Sequence, residues 1–201
     1  MSDRPARRLD APADVPDDAA SADPDLPAVR AAQRDPAAFA TIYRRYLDRV
    51  YSYSFYALGD HHDAEDATER SFLAALAGIG RFRDEGSSFR AWLFRIAHNT
   101  VANAHRSRAR RPTAPLEAAG ERGAADGDPA TLVARAEELR AVVAALDELP
   151  EERRQVILLR FVDGLTAAEI GPILGRSPGA VRVLLHRALR EVAARLDADE
   201  A

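Results

Sequence analysis

The sequence predicts an all-α protein, with two small helical domains joined by a flexible linker. Apolar residues recur at spacings of three and four in several segments, and no segment shows the strict alternation of a half-buried β-strand. Residues 109–130 are rich in Pro, Gly and Ala, which favours a flexible connection between two helical groups. A chain of 201 residues is long enough for two such domains to bury cores.

Residues 1–35 hold many Asp, Ala and Pro and few large apolar side chains, so we expect a disordered, acidic N-terminal extension. The first predicted domain covers 36–108. Its first helix ends near Leu58, where Gly59 is suited to the C′ position. The apolar stripe of this helix consists of Phe39, Ile42, Tyr43, Tyr46, Leu47 and Val50.

Two further helices complete the first predicted domain. Asp63 or a neighbour is suited to cap the second helix, which we expect to end near Leu76. A loop over 78–88 follows, and Ser87 or Ser88 caps a third helix that ends near residue 108. The apolar side of the second helix consists of Ala64, Ala67, Phe72 and Leu76.

The second predicted domain covers 131–196. Pro150 opens its central helix, and helices over 166–174 and 178–196 follow, before an acidic tail at 197–201. The apolar stripe ahead of Pro150 comprises Leu139, Val142, Val143 and Leu146, and the central helix carries Val156, Ile157, Leu159 and Phe161.

Charge is unevenly distributed along the chain. The net charge is -4, but residues 81–111 hold eight Arg against two acidic residues, and residues 151–195 hold eight Arg against five. Two basic segments between acidic ones indicate a polyanion that is contacted at two separate places. The absence of cysteine excludes a disulfide scaffold, a thiolate zinc site and a thiol nucleophile. The sequence has no apolar run of about 18 residues, the length of a membrane span, and no secretory signal. We therefore expect a cytoplasmic protein with no membrane insertion.

The last two helices have the signature of a helix-turn-helix. Thr166 and Glu169 form a capping-box pattern, Gly175 stops the first helix, and Ser177 followed by Pro178 starts the second. Pro172 lies inside the first helix, where we expect a bend or a 3₁₀ turn.

The second of these helices has one apolar and one basic side. A helix that enters the major groove needs such a division, since one side is buried and the other offers Arg to guanine edges or phosphates. The alternative is an ordinary helical hairpin with a solvated basic face. The candidate DNA-contacting residues are Ser177, Arg182, Val183, His186, Arg187 and Arg190.

The segment 81–99 mixes arginines with aromatic residues. Single-stranded nucleic acid is bound by this combination, because bases stack on aromatic faces while arginines follow the phosphates. The alternative places Trp92 and Phe94 in the core. On the third helix, the residues predicted to face a strand are Phe94, Arg95, His98, Asn99, Asn103 and Arg106.

Acidic residues cluster at the start of the second helix, behind His61 and His62. A metal site is disfavoured, because the spacing lacks a compact His/carboxylate triad. A solvated acidic turn, favoured by the helix dipole, and a protein-docking helix remain open. No catalytic constellation is recognisable, and no cofactor is expected. The candidate docking residues are Asp63, Glu65, Asp66 and Glu69.

Taken in order, these segments resemble a group IV (extracytoplasmic-function, ECF) sigma factor of bacterial RNA polymerase. Residues 36–60 resemble the start of sigma region 2, residues 63–68 its polymerase-docking helix, and residues 88–99 its promoter -10 helix. Residues 149–189 resemble region 4, which reads the -35 element. The family often has Gln where Glu69 stands and an acid where Arg70 stands, and Pro172 also departs from the usual residue.

The resemblance implies a non-enzymatic transcription initiation factor. It implies that the acidic helix binds the clamp of the largest polymerase subunit, and that region 4 meets the flap of the second subunit. The -35 groove would receive the basic helix, and an anti-sigma factor would hold the free protein. In the -10 region, the loop with Arg83, Ser87 and Ser88 would hold a flipped base, and Phe94, Arg95, Asn99 and Asn103 would line the path of the melted strand.

Two other function classes are compatible with parts of the pattern. One is a helix-turn-helix regulator that binds duplex DNA without polymerase, and the other is a sigma-like adaptor that sequesters an anti-sigma factor. A duplex-only regulator has no use for strand-stacking aromatics, so the 81–99 segment favours the sigma factor.

Overall fold

The computed structural model describes residues 23–84, 87–109 and 141–199, and every regular element within them is helical. The N-terminal module contains α1 (Leu26–Arg34), α2 (Phe39–Leu58), α3 (His61–Gly78) and α4 (Phe89–Ala109), with 3₁₀ turns at Pro36–Ala38 and Ile79–Arg81. The C-terminal module contains helical residues 141–147, then α5 (Glu151–Phe161), α6 (Ala167–Leu174) and α7 (Pro178–Asp199). The all-α prediction is confirmed; the predicted linker, 109–130, lies outside the described residues except for Ala109.

Helix α1 corrects the prediction that disorder extends to residue 35. Leu26, Val29 and Ala32 recur every three residues, and Val29 and Ala32 are buried against the rest of the module. Pro27 stands in the first turn, where its missing N–H costs nothing. Residues 1–22 lie outside the described part of the chain.

The ends of α2, α3 and α4 follow local capping rules. Gly59 ends α2 with a left-handed φ of 70°, as predicted. Asp60, rather than Asp63, caps α3, since its Oδ1 accepts from the Asp63 N–H at 2.9 Å. Ser88 caps α4, as its Oγ accepts from the Ala91 N–H at 3.2 Å. Helix α3 is longer than predicted, and Leu76 is 37% exposed instead of lying in the core.

The core of the N-terminal module is rich in aromatic side chains. Helix α4 packs against both α2 and α3, so more than one side of it is buried. Phe89, Leu93 and Phe94 are fully buried there, and the Phe94 ring meets the Tyr53 ring edge-on at 5.7 Å. Edge-to-face pairs of this kind add stability beyond the apolar area that they bury.

The C-terminal module confirms the predicted helix-turn-helix. The reciprocal hydrogen bonds of the Thr166–Glu169 capping box are both present, and Gly175 ends α6 with a φ of 65°. Ser177 Oγ accepts from the Ala180 N–H at 3.2 Å and caps α7. Gly171, inside α6, is required by the close approach of the turn, because a Cβ there would lie 2.7 Å from the carbonyl oxygen of Arg176.

Three predictions for this module need correction. Helix α6 stays α-helical through Pro172, so of the predicted bend or 3₁₀ turn the 3₁₀ alternative is wrong. The Gly175 and Arg176 N–H groups close the last turn by donating to the Gly171 carbonyl. Phe161 is 47% exposed and Val142 is also exposed, so neither belongs to the core. Residues 197–199 continue α7 rather than forming a tail.

Among the described helices, none is long and apolar enough to cross a membrane.

Candidate nucleic-acid and protein interfaces

Helix α7 has the two-sided character that the sequence predicts. Val181, Ala188 and Val192 are buried against α5 and α6, which fixes the helix in the module. The opposite side is exposed, and Val183 lies within it at 51% exposure. The exposed side carries Arg182, Val183, His186, Arg187 and Arg190, and Ser177 is exposed at the start of the helix.

A groove of about 550 Å³ runs beside the N-terminal half of α7. Two arginines that the sequence did not predict as DNA-contacting, Arg153 and Arg176, line it. Arg176 Nε donates to Glu152 Oε1 at 2.7 Å, and Arg153 pairs with Glu191. Arg187 and Val183 line the same groove. The position of Arg176, directly before the Ser177 cap, was the only local signal for it.

The exposed side of α4 is narrower than predicted. Phe94 is 0% exposed and packs on Tyr53, so it cannot stack on a nucleic-acid base, and that prediction is wrong. His98 is half-buried, with its Nδ1 3.1 Å from the Tyr53 hydroxyl, and burial lowers its pKa. Four predicted residues do share the exposed side, at spacings of four, four and three: Arg95, Asn99, Asn103 and Arg106.

The ends of the loop before α4 are well defined. Arg83 is exposed, and its Nη1 donates to the carbonyl oxygens of Gly80 and Phe82 at 3.1 and 3.0 Å. Ser87 is exposed and Ser88 is half-buried. Trp92 is half-buried and packs on Phe82, so it supports the loop from the core side.

Polar contacts that no local pattern predicted join the two modules, next to an apolar core that is continuous between them. Glu169 of α6 accepts from Arg90 Nη2 with both carboxylate oxygens, at 3.0 and 2.8 Å, and also from the Ser88 hydroxyl. Hydrogen bonds from Ser88 and the Thr166 backbone, and the charge of Arg90, outweigh burial and lower the pKa of Glu169. A second contact joins the Tyr53 hydroxyl to Gln155.

Asp163 is the most deeply buried charge at this junction. Its carboxylate lies 2.8 Å from Arg49 Nε and 3.5 Å from Arg90 Nε. Within the described residues, neither of its oxygens accepts an aligned hydrogen bond. Burial raises the pKa of Asp163 to about 7, because desolvation outweighs the charges of the two arginines.

Helix α3 presents an exposed acidic side. Glu65, Asp66 and Glu69 are exposed, whereas Asp63 is half-buried and lies 3.6 Å from Arg108. Beside them Leu73 is 58% exposed, an apolar residue that the sequence analysis did not include. In the part of the chain that the structure describes, no three His or acidic side chains are grouped as a metal site.

Comparison with protein families gives two matches. Residues 42–111 match Sigma-70 region 2, and residues 139–192 match Sigma-70, region 4. The first range contains the exposed sides of α3 and α4, and the second contains the helix-turn-helix.

Individual relatives agree with these matches. The chain is 34% identical over 170 residues to the ECF RNA polymerase sigma factor BldN of Streptomyces coelicolor, covering 85% of this chain and 64% of BldN. The chain thus spans just under two thirds of BldN's length. It is 35% identical to the ECF RNA polymerase sigma factor SigW of Bacillus subtilis, covering 76% of this chain and 86% of SigW.

A solved structure has the same fold. It is CnrH in complex with the cytosolic domain of CnrY, and it matches with a TM-score of 0.66 and 27% identity. The match covers 87% of this chain and 98% of CnrH.

Proposed function

The chain belongs to the ECF sigma factors, and from this premise we propose that it binds the core of bacterial RNA polymerase and directs it to promoters. One observation carries the proposal: two separate modules each present an exposed side with arginines, on α4 and on α7. Promoter recognition at two elements needs two such surfaces, and each contributes affinity to the other through their covalent connection.

In this proposal α7 reads the -35 element. Arg182, His186 and Arg187 enter the major groove, and Val183 contacts a thymine methyl group. Arg176 and Arg153, which line the adjacent groove, are placed to approach the DNA phosphates.

The exposed side of α4 follows the melted -10 strand. Arg95 and Arg106 supply charge, while Asn99 and Asn103 can hydrogen-bond to base edges or sugars. Arg83, Ser87 and Ser88 surround a base that has flipped out of the strand, whose unstacking costs a few kcal/mol. Phe94 has no direct role, and His98 contributes at most from the edge of this surface.

Helix α3 docks on the polymerase clamp. Glu65, Asp66 and Glu69 supply charge, and Leu73 supplies apolar contact area at the C-terminal end of the same surface. The C-terminal module then meets the flap of the second subunit. Arg70 stands where the family often has an acidic residue. Its positive charge is partly neutralised by Asp66, to which Arg70 donates at 3.0 Å.

An anti-sigma factor is a further proposed partner, supported by the complex in which CnrH was solved. We propose that the protein is not an enzyme, because a transcription initiation factor needs only to bind polymerase and DNA and to help melt the DNA. We propose that it acts in the cytoplasm, where bacterial RNA polymerase works.

Promoter binding requires the two modules to separate. Glu169 engages Ser88 and Arg90 at the start of α4, next to the surface that would meet the -10 strand. The closed arrangement is therefore the resting state in this proposal, and polymerase holds the open one.

Run-off transcription with purified core polymerase tests the function. Genomic fragments are transcribed with and without the protein, and we expect specific transcripts only when it is present. Changing Arg182 and Arg187 to Ala should remove -35 discrimination, at about 1–3 kcal/mol for each bidentate contact. Arg44→Ala, on an exposed α2 residue outside these surfaces, is the control.

Other results would overturn the proposal. Sequence-specific footprints that need no core polymerase would indicate a helix-turn-helix regulator. Full activity of the double variant would argue against groove reading and favour a sigma-like adaptor.

A further inference from the structure

Helix α1 contacts the beginning of the loop that precedes α4. The Gln33 side-chain amide donates from Nε2 to two carbonyl oxygens, that of Ile79 at 3.0 Å and that of Phe82 at 3.1 Å. These two carbonyls bracket the 3₁₀ turn at Ile79–Arg81. One side chain therefore fixes the backbone on both sides of this turn.

The same carbonyl links Gln33 to a candidate DNA-contacting residue. The Phe82 oxygen accepts from Gln33 Nε2 and also from Arg83 Nη1, which lies at 3.0 Å. A carbonyl oxygen has two lone pairs, so both donors can be accommodated. Any shift of this oxygen therefore moves the Arg83 guanidinium.

The residues before α1 contact the other end of the loop. Asp23 Oδ2 accepts from the Phe89 N–H at 2.5 Å, and Oδ1 accepts from the Asp25 N–H at 2.9 Å. Phe89 is the first residue of α4, where a carboxylate satisfies an N–H that has no partner within the helix. Asp23 and Ser88 together thus hold the start of α4.

Segment 23–34 is itself firmly attached to the module. Asp25 is buried, and its carboxylate accepts from Arg45 Nη1 and from the Tyr46 hydroxyl on α2. Val29 and Ala32 add apolar contacts. The segment is therefore anchored to α2 and, through Gln33 and Asp23, holds both ends of the loop in a fixed position relative to that helix.

We propose that residues 23–34 form a brace that positions the base-contacting loop, with Gln33 and Asp23 as positioning residues for selectivity at the -10 element. The inference rests on the proposed function and deepens it. The brace lies before the range that matches Sigma-70 region 2, which begins at residue 42. Neither residue needs to touch DNA, since each acts through the backbone that carries Arg83 and Ser88.

Selectivity at each promoter position tests the brace in the full chain with core polymerase. Promoter fragments randomised at the -10 or at the -35 element are transcribed, and the transcripts are sequenced. Gln33→Glu keeps the shape but replaces the donating amide with a carboxylate that faces two carbonyls. We expect about a fivefold to tenfold loss of -10 discrimination, the effect of roughly one or two hydrogen bonds, with -35 discrimination unchanged.

Variants at Asp23 separate hydrogen bonding from packing. Asp23→Ala should lose -10 discrimination, and Asp23→Asn, which keeps an acceptor oxygen, should retain most of it. Hydrogen exchange in the free protein supplies a second measurement, because Asp23→Ala should speed exchange of the Phe89 amide while the α2 amides stay protected. Arg30→Gln, an exposed substitution on the same helix, is the matched control.

The outcomes distinguish the two proposals. A selective wild-type protein together with equally selective Gln33→Glu and Asp23→Ala variants overturns the brace alone. Equal losses at -10 and -35, or loss of core binding, also overturn the brace, since they indicate a general structural defect. A wild-type protein that directs no specific transcripts overturns the proposed function and the brace with it.

Discussion

Inside each module the helices meet through apolar side chains, whereas the junction between the modules adds buried charged and polar groups to an apolar core that is continuous across it. Leu93 and Phe94 in the first module, and Val156 and Leu159 in the second, are fully buried. The charged groups at the junction are Arg49, Arg90, Asp163 and Glu169, and the arginines remain partly exposed.

The difference indicates which contact is permanent. Apolar burial stabilises by about 25 cal/mol per Å² and depends little on pH or salt. Partly exposed ion pairs contribute little net free energy, because the attraction is offset by desolvation and screened by ions. The modules should therefore stay folded while the junction opens.

The largest effect should come from a cavity inside a module. Leu93→Ala removes a fully buried side chain and should lower the free energy of unfolding by about 2–5 kcal/mol, measured by urea denaturation. Leu73→Ala, at an exposed leucine on α3, should change it by less than about 0.5 kcal/mol. Similar losses in both variants would contradict the assignment of the core.

A smaller effect is expected at the junction. Arg90→Ala removes the partner of Asp163 and Glu169. Breaking a buried ion pair is usually more costly, but Arg90 is partly exposed. We therefore expect the free energy that favours the closed arrangement to fall by about 1–3 kcal/mol. The chain has no cysteine, so Ala74→Cys and Ala194→Cys give two unique sites for fluorophores. The transfer efficiency between them should fall in Arg90→Ala.

Arg70→Ala is the control, since it removes an exposed pair within α3. Transfer efficiency that is the same in Arg90→Ala and in the parent protein would show that the junction does not depend on this arginine.

The junction should also respond to pH through Asp163. The pKa of Asp163 is about 7 when the modules are closed and returns toward the ordinary value of 3.8 when they separate. Between pH 3.8 and about 7 the closed state therefore binds more protons than the open state. Closure should weaken as pH rises from 5 to 7, by at most about 1.4 kcal/mol per pH unit, and level off above.

Asp163→Asn isolates this contribution. Arg49, Arg90, Glu169 and Asp25 all act on the Asp163 carboxyl, and protonation of His98 below its lowered pKa opposes closure. The difference in transfer efficiency between wild type and Asp163→Asn should therefore carry the pH dependence. Parallel profiles for the two proteins would refute the role of Asp163.

The smallest effect separates two serine caps. Ser177→Ala should cost about 1 kcal/mol of stability in the C-terminal module and leave the junction unchanged. Ser88→Ala loses a comparable cap and also the hydrogen bond to Glu169, so it alone should lower the transfer efficiency. An equal change in both variants would mean that Ser88 acts only as a cap.

Features set by neighbouring residues were predictable from the sequence. The Thr166–Glu169 box, Gly59, Gly175 and the two sides of α7 depend on residues within one or two turns, and the structure confirms all of them. Helix α1 was missed because its short apolar stripe lies next to an acidic, Pro-rich segment that dominates the composition.

Features set by distant contacts were not predictable. A helical wheel cannot show that α4 packs on two neighbours, so it placed Phe94 on the exposed side. The junction joins residues such as Arg49 and Asp163, which are 114 positions apart, and no local pattern marks such a pair. The Gln33 contacts span 46 and 49 positions and were hidden for the same reason.

Glu169 serves two structures with one carboxylate. It completes the capping box of α6 through the Thr166 N–H at 2.8 Å, and it receives Arg90 and Ser88 from the other module. The start of α6 and the contact between the modules therefore depend on the same side chain. Glu169→Gln would preserve the helix start while weakening the contact with Arg90, so a single substitution would favour the open arrangement without disturbing the helix-turn-helix.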